Sequence, residues 1–194
     1  MSVIPAETVP EPFAVATAEL AAFGWSRLTD VSPLKPPPRL APYATAVIAE
    51  LLVAGAVQCS GKLILLYDPA RPSAWDGDFR CVTYATADID PETVDDQLRA
   101  EAGWSWLLDA LASHGADWLA DSGTVTVSTS THFGGLADQP ATAEIELRAS
   151  WTPSLPGGAG LTAHLAAWQD LLRLAAGLPP EAAGVIPLTR AARR

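Results

Sequence analysis

The chain has 194 residues, 22 of them acidic and 12 basic, for a formal net charge of −10. Hydrophobic residues make up 49% and charged residues 18%, which excludes global disorder. The acidic balance opposes a general affinity for nucleic acid, whose binders present basic surface to phosphate, and the length fits one domain that needs neither disulfides nor metal to fold.

In chain order, Met1–Glu11 carries no basic residue ahead of an apolar core, so it is not a signal peptide and is expected to be flexible. Phe13, Ala16, Leu20 and Phe23 then recur at helical spacing, with Gly24 as the stop. Ser32–Pro42 holds Pro33, Pro36, Pro37, Pro38 and Pro42 and predicts an extended connector. Ala44–Val53 and Lys62–Asp68 predict two strands of a hairpin with a loose loop through Gly55 and Gly61. The apolar stretch around Leu51–Val57 falls far short of the ~20 residues of a membrane helix. A third strand, Phe79–Ala87, follows a turn at Trp75-Asp76-Gly77.

Asp90-Pro91 predicts a capped helix start, with a break near Arg99 and continuation through Trp104, Leu107, Leu108 and Leu111 to Gly115. Thr124–His132 and Ala143–Trp151 form a second hairpin. Its last strand sets Ile145, Leu147, Ala149 and Trp151 against Glu144, Glu146, Arg148 and Ser150. Leu161, Leu165, Trp168 and Leu172 mark a final helix that ends at Gly177 before Pro179-Pro180, and residues 178–194 read as an extended tail. The result is an α+β protein with one domain at 12–177. Its expected order is α-β-β-β-α-β-β-α, with an antiparallel five-stranded sheet and helices packed on one face.

Catalytic motifs fail on inspection. Gly55–Lys62 resembles a phosphate loop, but Leu63 stands where Ser or Thr would bind magnesium. Gly103-Trp104-Ser105-Trp106 begins like a nucleophile elbow, yet lies inside a helix and lacks the closing glycine. Cys59 and Cys81 have no metal-ligand spacing and read as reduced, packed thiols, so no cofactor or metal is expected and the compartment is cytoplasmic.

The second hairpin is the most informative stretch. Its polar strand face can set Glu144, Glu146 and Arg148 beside Thr126, Ser128, Ser130 or His132. A wet sheet face with an internal ion pair accounts for this pattern. So does a polar wall, with Arg148 as anion anchor and His132 or Glu146 as acid or base. Trp75, in a turn, and Trp106, on the side of its helix opposite the apolar stripe, are difficult to bury and read as interface anchors. Asp76, Phe133, Asp138 and Arg148 complete the candidate binding residues.

The ordered segments Leu40-Ala41-Pro42-Tyr43, Leu65-Leu66-Tyr67-Asp68-Pro69, Ala74-Trp75-Asp76-Gly77 and Gly103-Trp104-Ser105-Trp106 are followed by Phe133-Gly134-Gly135-Leu136-Ala137-Asp138, the stretch Ala141–Trp151 and Ala175-Ala176-Gly177-Leu178-Pro179-Pro180. Over roughly residues 30–190 the chain resembles the actinobacterial DUF3000 family, and that resemblance implies no activity, cofactor or catalytic residue. The element order alone is similar to that of type III secretion chaperones, which implies dimers that bind extended protein segments. Together these readings favour a non-catalytic binding or adaptor protein, acting on a protein partner or on its own copy as a homodimer, with no nucleic-acid or membrane partner. The alternative is an enzyme or sensor for a small polar or anionic molecule.

Overall fold

The computed structural model describes residues 9–93 and 96–180. In order these form α1 (Glu11–Ala22), β1 (Thr29–Leu34), β2 (Tyr43–Val53), β3 (Ala56–Tyr67), β4 (Phe79–Ile89), α2 (Asp96–Ser113), β5 (Trp118–Ser130), β6 (Thr142–Pro153) and α3 (Leu161–Ala175). Short 3-10 turns lie at Pro91–Thr93, Gly134–Leu136 and Pro156–Gly158. All strand pairs are antiparallel, in the spatial order β1-β2-β3-β4-β6-β5. The α+β single domain with helices on one sheet face stands.

The sheet has six strands, not five. The added strand, β1, takes in Ser32-Pro33-Leu34 from the expected connector. Proline is tolerated because β1 is an edge strand with only one neighbour, so a missing N–H breaks no central ladder. With β1 in place the order becomes α-β-β-β-β-α-β-β-α, which departs from the chaperone-like topology. Of the expected flexible ends, residues 1–8 and 181–194 lie outside the described residues, while Glu11 already opens α1.

The first hairpin is tight rather than loose. Val53 pairs with Ala56, and the two residues between them, Ala54 and Gly55, have φ of 51° and 83°. Two successive left-handed residues are what a type I′ turn requires, and its right-handed twist matches the strands it joins. Asparagine tolerates this conformation better than alanine. Ala54→Asn is therefore expected to raise the urea midpoint, with a gain of about 1 kcal/mol in unfolding free energy. Gly61 belongs to the middle of β3, not to a turn. A Cβ there would meet Leu172 Cδ2 and, at 3.0 Å, Trp168 Cζ2, so the bare backbone is what lets α3 lie close on the sheet.

The core sits between the sheet and the helices. Leu65, Ile145, Leu147, Trp151, Trp168 and Leu172 are buried as their spacing predicts, joined by Phe79, Leu107 and Leu111. Leu20, Val47 and Val127 are half-buried at its margin. Leu107 rather than Leu108 is the buried leucine of its pair on α2, and Val82 lies on the opposite sheet face. Two polar links hold the helices in register. Glu19 of α1 accepts from the backbone N–H groups of Gly160 and Thr162 at 3.0 Å, capping α3. Burial works to raise its carboxyl pKa, but these hydrogen bonds prevail and hold it below the usual value. His114 Nε2 lies 2.7 Å from Asp170 Oδ2, tying the end of α2 to α3.

Candidate functional site

Alternation along each strand divides the sheet into a helix-covered face and an open one. On the open face the register aligns Ile48, Lys62, Tyr84, Arg148 and Thr124 in one row across β2, β3, β4, β6 and β5. The next row toward the β3–β4 connection runs Ala46, Ile64, Val82, Ser150 and Ser122. Tyr84 lies between two cations, with Arg148 Cζ 5.2 Å and Lys62 Nζ 5.8 Å from its ring centroid. Its hydroxyl donates to Glu146 Oε2 at 2.8 Å, and Arg148 Nε donates to Glu146 Oε1 at 2.8 Å. The Tyr84 hydroxyl and then Arg148 hold the Glu146 carboxyl below its ordinary pKa, so Glu146 serves as an ionised acceptor.

One row further, Arg80 is only 7% exposed. Its Nη1 donates to Ala120 O at 2.7 Å and Thr152 Oγ1 at 3.0 Å, and its Nη2 to Ser122 Oγ at 3.2 Å and Ser150 Oγ at 2.6 Å. Thr152 Oγ1 in turn donates to the carbonyl of Trp75, whose connection between β3 and β4 folds against this end of the sheet. Ser122, Thr124, Arg148, Ser150 and Val82 line an open depression of about 420 Å³ beside Arg80.

Glu146 and Arg148 thus come together as the strand pattern predicts, but His132 does not join them. Thr126 is the register partner of Glu146, and β5 continues to Ser130, about 13 Å further along at ~3.3 Å per residue. His132 lies beyond that end, half-buried, with Nδ1 enclosed and unpartnered among the described residues. Trp75 is half-buried and Asp76 is exposed in the same connection, with φ of 57°. Trp106 is half-buried, packs against the core and lines a small apolar cavity with Gly103, Ala85, Ile145, Leu147, Leu171 and Ala175, so it has a place in the interior that its helix position did not suggest. Phe133 is 79% exposed in the β5–β6 connection, where Asp138 is also exposed.

Sequence reasoning missed Arg80 and Tyr84. The signal was present: both alternate with Cys81 in Phe79–Ala87 and so share the face opposite the buried cysteine. Cys59 and Cys81 are free and buried, and burial pushes the Cys59 thiol up to about 12 and Cys81 higher still, so neither is a ready nucleophile. Among the described residues no group of three or more His, Cys, Asp and Glu side chains is placed to hold a metal ion. No helix among them is long and apolar enough to cross a membrane.

The family model for a protein of unknown function, DUF3000, matches residues 9–186. The chain belongs to the DUF3000 family. Neither a curated protein nor a solved structure matches this family member. What this DUF3000 chain does must therefore be read from its own surfaces.

The two sheet edges differ. β1 has six residues, with Pro33 and Asp30 among them, and both features blunt an edge against further pairing. β5 has 13 residues, and from Ser122 to Ser130 it contains only Ser, Gly, Thr and Val. One irregularity, at Leu119/Ser122 where Ala120 has φ of 50°, interrupts its start. Around its far end stand exposed Phe133 and Leu136. Gly103 of α2 stands against Val125, and Trp104 against Gly123, so Leu98, earlier on α2 and 63% exposed, falls toward the same end.

Proposed function

We propose that this protein is a non-catalytic, cytoplasmic binding module that takes an extended segment of a partner chain as an added strand along β5. The observation that carries this reading is the contrast between the short, blunted β1 edge and the long β5 edge, uncharged from Ser122 to Ser130. An edge strand leaves half of its backbone N–H and C=O groups without a ladder partner, and such a row is a template for another chain.

A second copy fits this edge poorly. α2 packs on β5 more than on β6, so it stands over the edge itself. Two β5 strands paired ~4.8 Å apart would bring two α2 helices inside the ~8–10 Å that helix packing needs. A lone extended segment has no helix to place. Its side chains beside Val125 and Val127 would be apolar, and those beside Thr124, Thr126 and Ser128 polar. Phe133, Leu136 and Leu98 offer apolar anchorage where such a segment leaves the strand.

The test is selection of peptides from a random displayed library of extended segments against the full chain, followed by amide exchange with a selected peptide bound. Selected peptides should share alternating apolar positions and slow exchange at alternate residues between Ser122 and Ser130. Phe133→Ala should weaken them about tenfold with the fold intact. Failure to select any peptide, protection confined to other elements, or a dimer with β5 already protected in the free protein would each overturn the proposal.

A further inference from the structure

A guanidinium taken out of water is costly unless an anion or a full set of acceptors compensates it. Arg80 has the acceptors, and all four are neutral: Ala120 O, Thr152 Oγ1, Ser122 Oγ and Ser150 Oγ. Among the described residues no carboxylate lies within ion-pair distance of it. Asp121 contributes only a longer-range attraction, while burial lowers the Arg80 pKa. The charge is held in place without a counter-ion.

The two serines turn that charge toward solvent. Each Oγ accepts from Arg80 Nη2, so each hydroxyl keeps its own proton to give. They lie 3.3 Å apart, so one proton can bridge the pair and the other is left for a ligand. Both serines line the open depression, with Thr124 next to Ser122 on β5 and Val82 next to Ser150 on β4. Arg148 forms its rim, with a side chain 63% exposed, its Nε donating to Glu146 and its guanidinium over the Tyr84 ring.

We infer that this depression binds a phosphate-type oxyanion, seated on the Ser122 and Ser150 hydroxyls between the Arg148 guanidinium and the buried Arg80. Two guanidinium charges and two hydroxyl protons, one from the serine pair and one from Thr124, suit a ligand with several acceptor oxygens and about two negative charges, more than a lone carboxylate supplies. Glu146 neutralises part of Arg148 and sets an upper limit on the attraction. The net charge of −10 repels anions in general, so an anion retained here is held by local donors rather than by the field of the whole molecule. Oxyanion binding here does not rest on strand addition at β5, although Ser122 and Thr124 belong to that strand.

The experiment is an NMR titration of the full chain with inorganic phosphate, against sodium chloride at matched ionic strength. Parallel arms use ribose 5-phosphate and O-phosphoserine, so that a free and an esterified phosphate are told apart by which binds more tightly. Saturable shifts are expected at the amides of Ser122, Gly123, Thr124 and Ser150. Arg148→Gln and the double variant Ser122→Ala/Ser150→Ala should each weaken binding at least about fivefold. Both variants alter the open face rather than the helix-covered core, and an unchanged spectrum elsewhere verifies the fold. Absence of a saturable shift up to roughly 20 mM of every probe, or binding that both variants leave unchanged, would overturn the inference.

Discussion

Gly158→Ala is expected to be among the most destabilising single substitutions in the chain, with a loss of about 4 kcal/mol. Gly158 is buried with φ of 90°, a conformation that an L side chain rarely adopts. A Cβ there would collide with the carbonyl of Pro12, at the start of α1. The turn Pro156–Gly158 is the seat on which α1 docks, so the side chain cannot be accommodated without moving the whole helix. The measurement is urea unfolding of the variant beside Gly157→Ala. Gly157 shares a positive φ of 63° but has open space where its Cβ would go, so it should lose only the conformational part, about 1–2 kcal/mol. Equal losses at the two positions would show that α1 does not sit on this turn.

Acid should destabilise the fold through His164, and the direction follows from its burial. Its side chain is fully enclosed, and its Nδ1 accepts from Trp151 Nε1 at 3.2 Å, which requires a neutral ring. Burial first, against a weaker attraction from Asp117, lowers its pKa from 6.5 to about 4. Above pH 6.5 the ring is neutral in both folded and unfolded chains, and no stability depends on it. As the pH falls from 6.5 toward 4 the unfolded chain takes up a proton that the folded one refuses, and stability drops. The loss should reach about 2.5 kcal/mol at pH 4.5. His164→Asn keeps an acceptor near the Nδ1 position but cannot titrate. Its unfolding free energy should change less between pH 7 and 4.5 than that of the parent chain, by that same amount. Glu19, whose depressed pKa gives an acid-dependent loss of its own, is present in both and cancels. Parallel pH dependences would place a proton on His164 in the folded state.

Much of the fold was legible in local sequence because local physics decides it. Helical spacing and terminal glycines located α1, α2 and α3, and strict alternation in Ala143–Trp151 assigned both faces of β6 correctly. The pairing of Glu146 with Arg148 followed from that alternation, since residues two apart on a strand share a face. β1 was hidden because proline argues against a strand wherever a ladder must be completed on both sides, and nothing local announces an edge. Gly61 looked like a turn because nothing in its neighbours declares that Trp168 and Leu172, more than a hundred residues later, need the space of its missing side chain.

The open face was decided by tertiary structure in the same way. Arg80, Ser122, Ser150 and Arg148 come from three strands, and only the order β4-β6-β5 sets them side by side. Alternation placed each residue on a face but could not say which strands would be neighbours, because loop closure costs little more for a distant strand than for a near one. The sequence by itself determined which side chains turn away from the core. The strand order decided which of them meet, and the position of α2 over β5 decided what kind of chain its edge can accept.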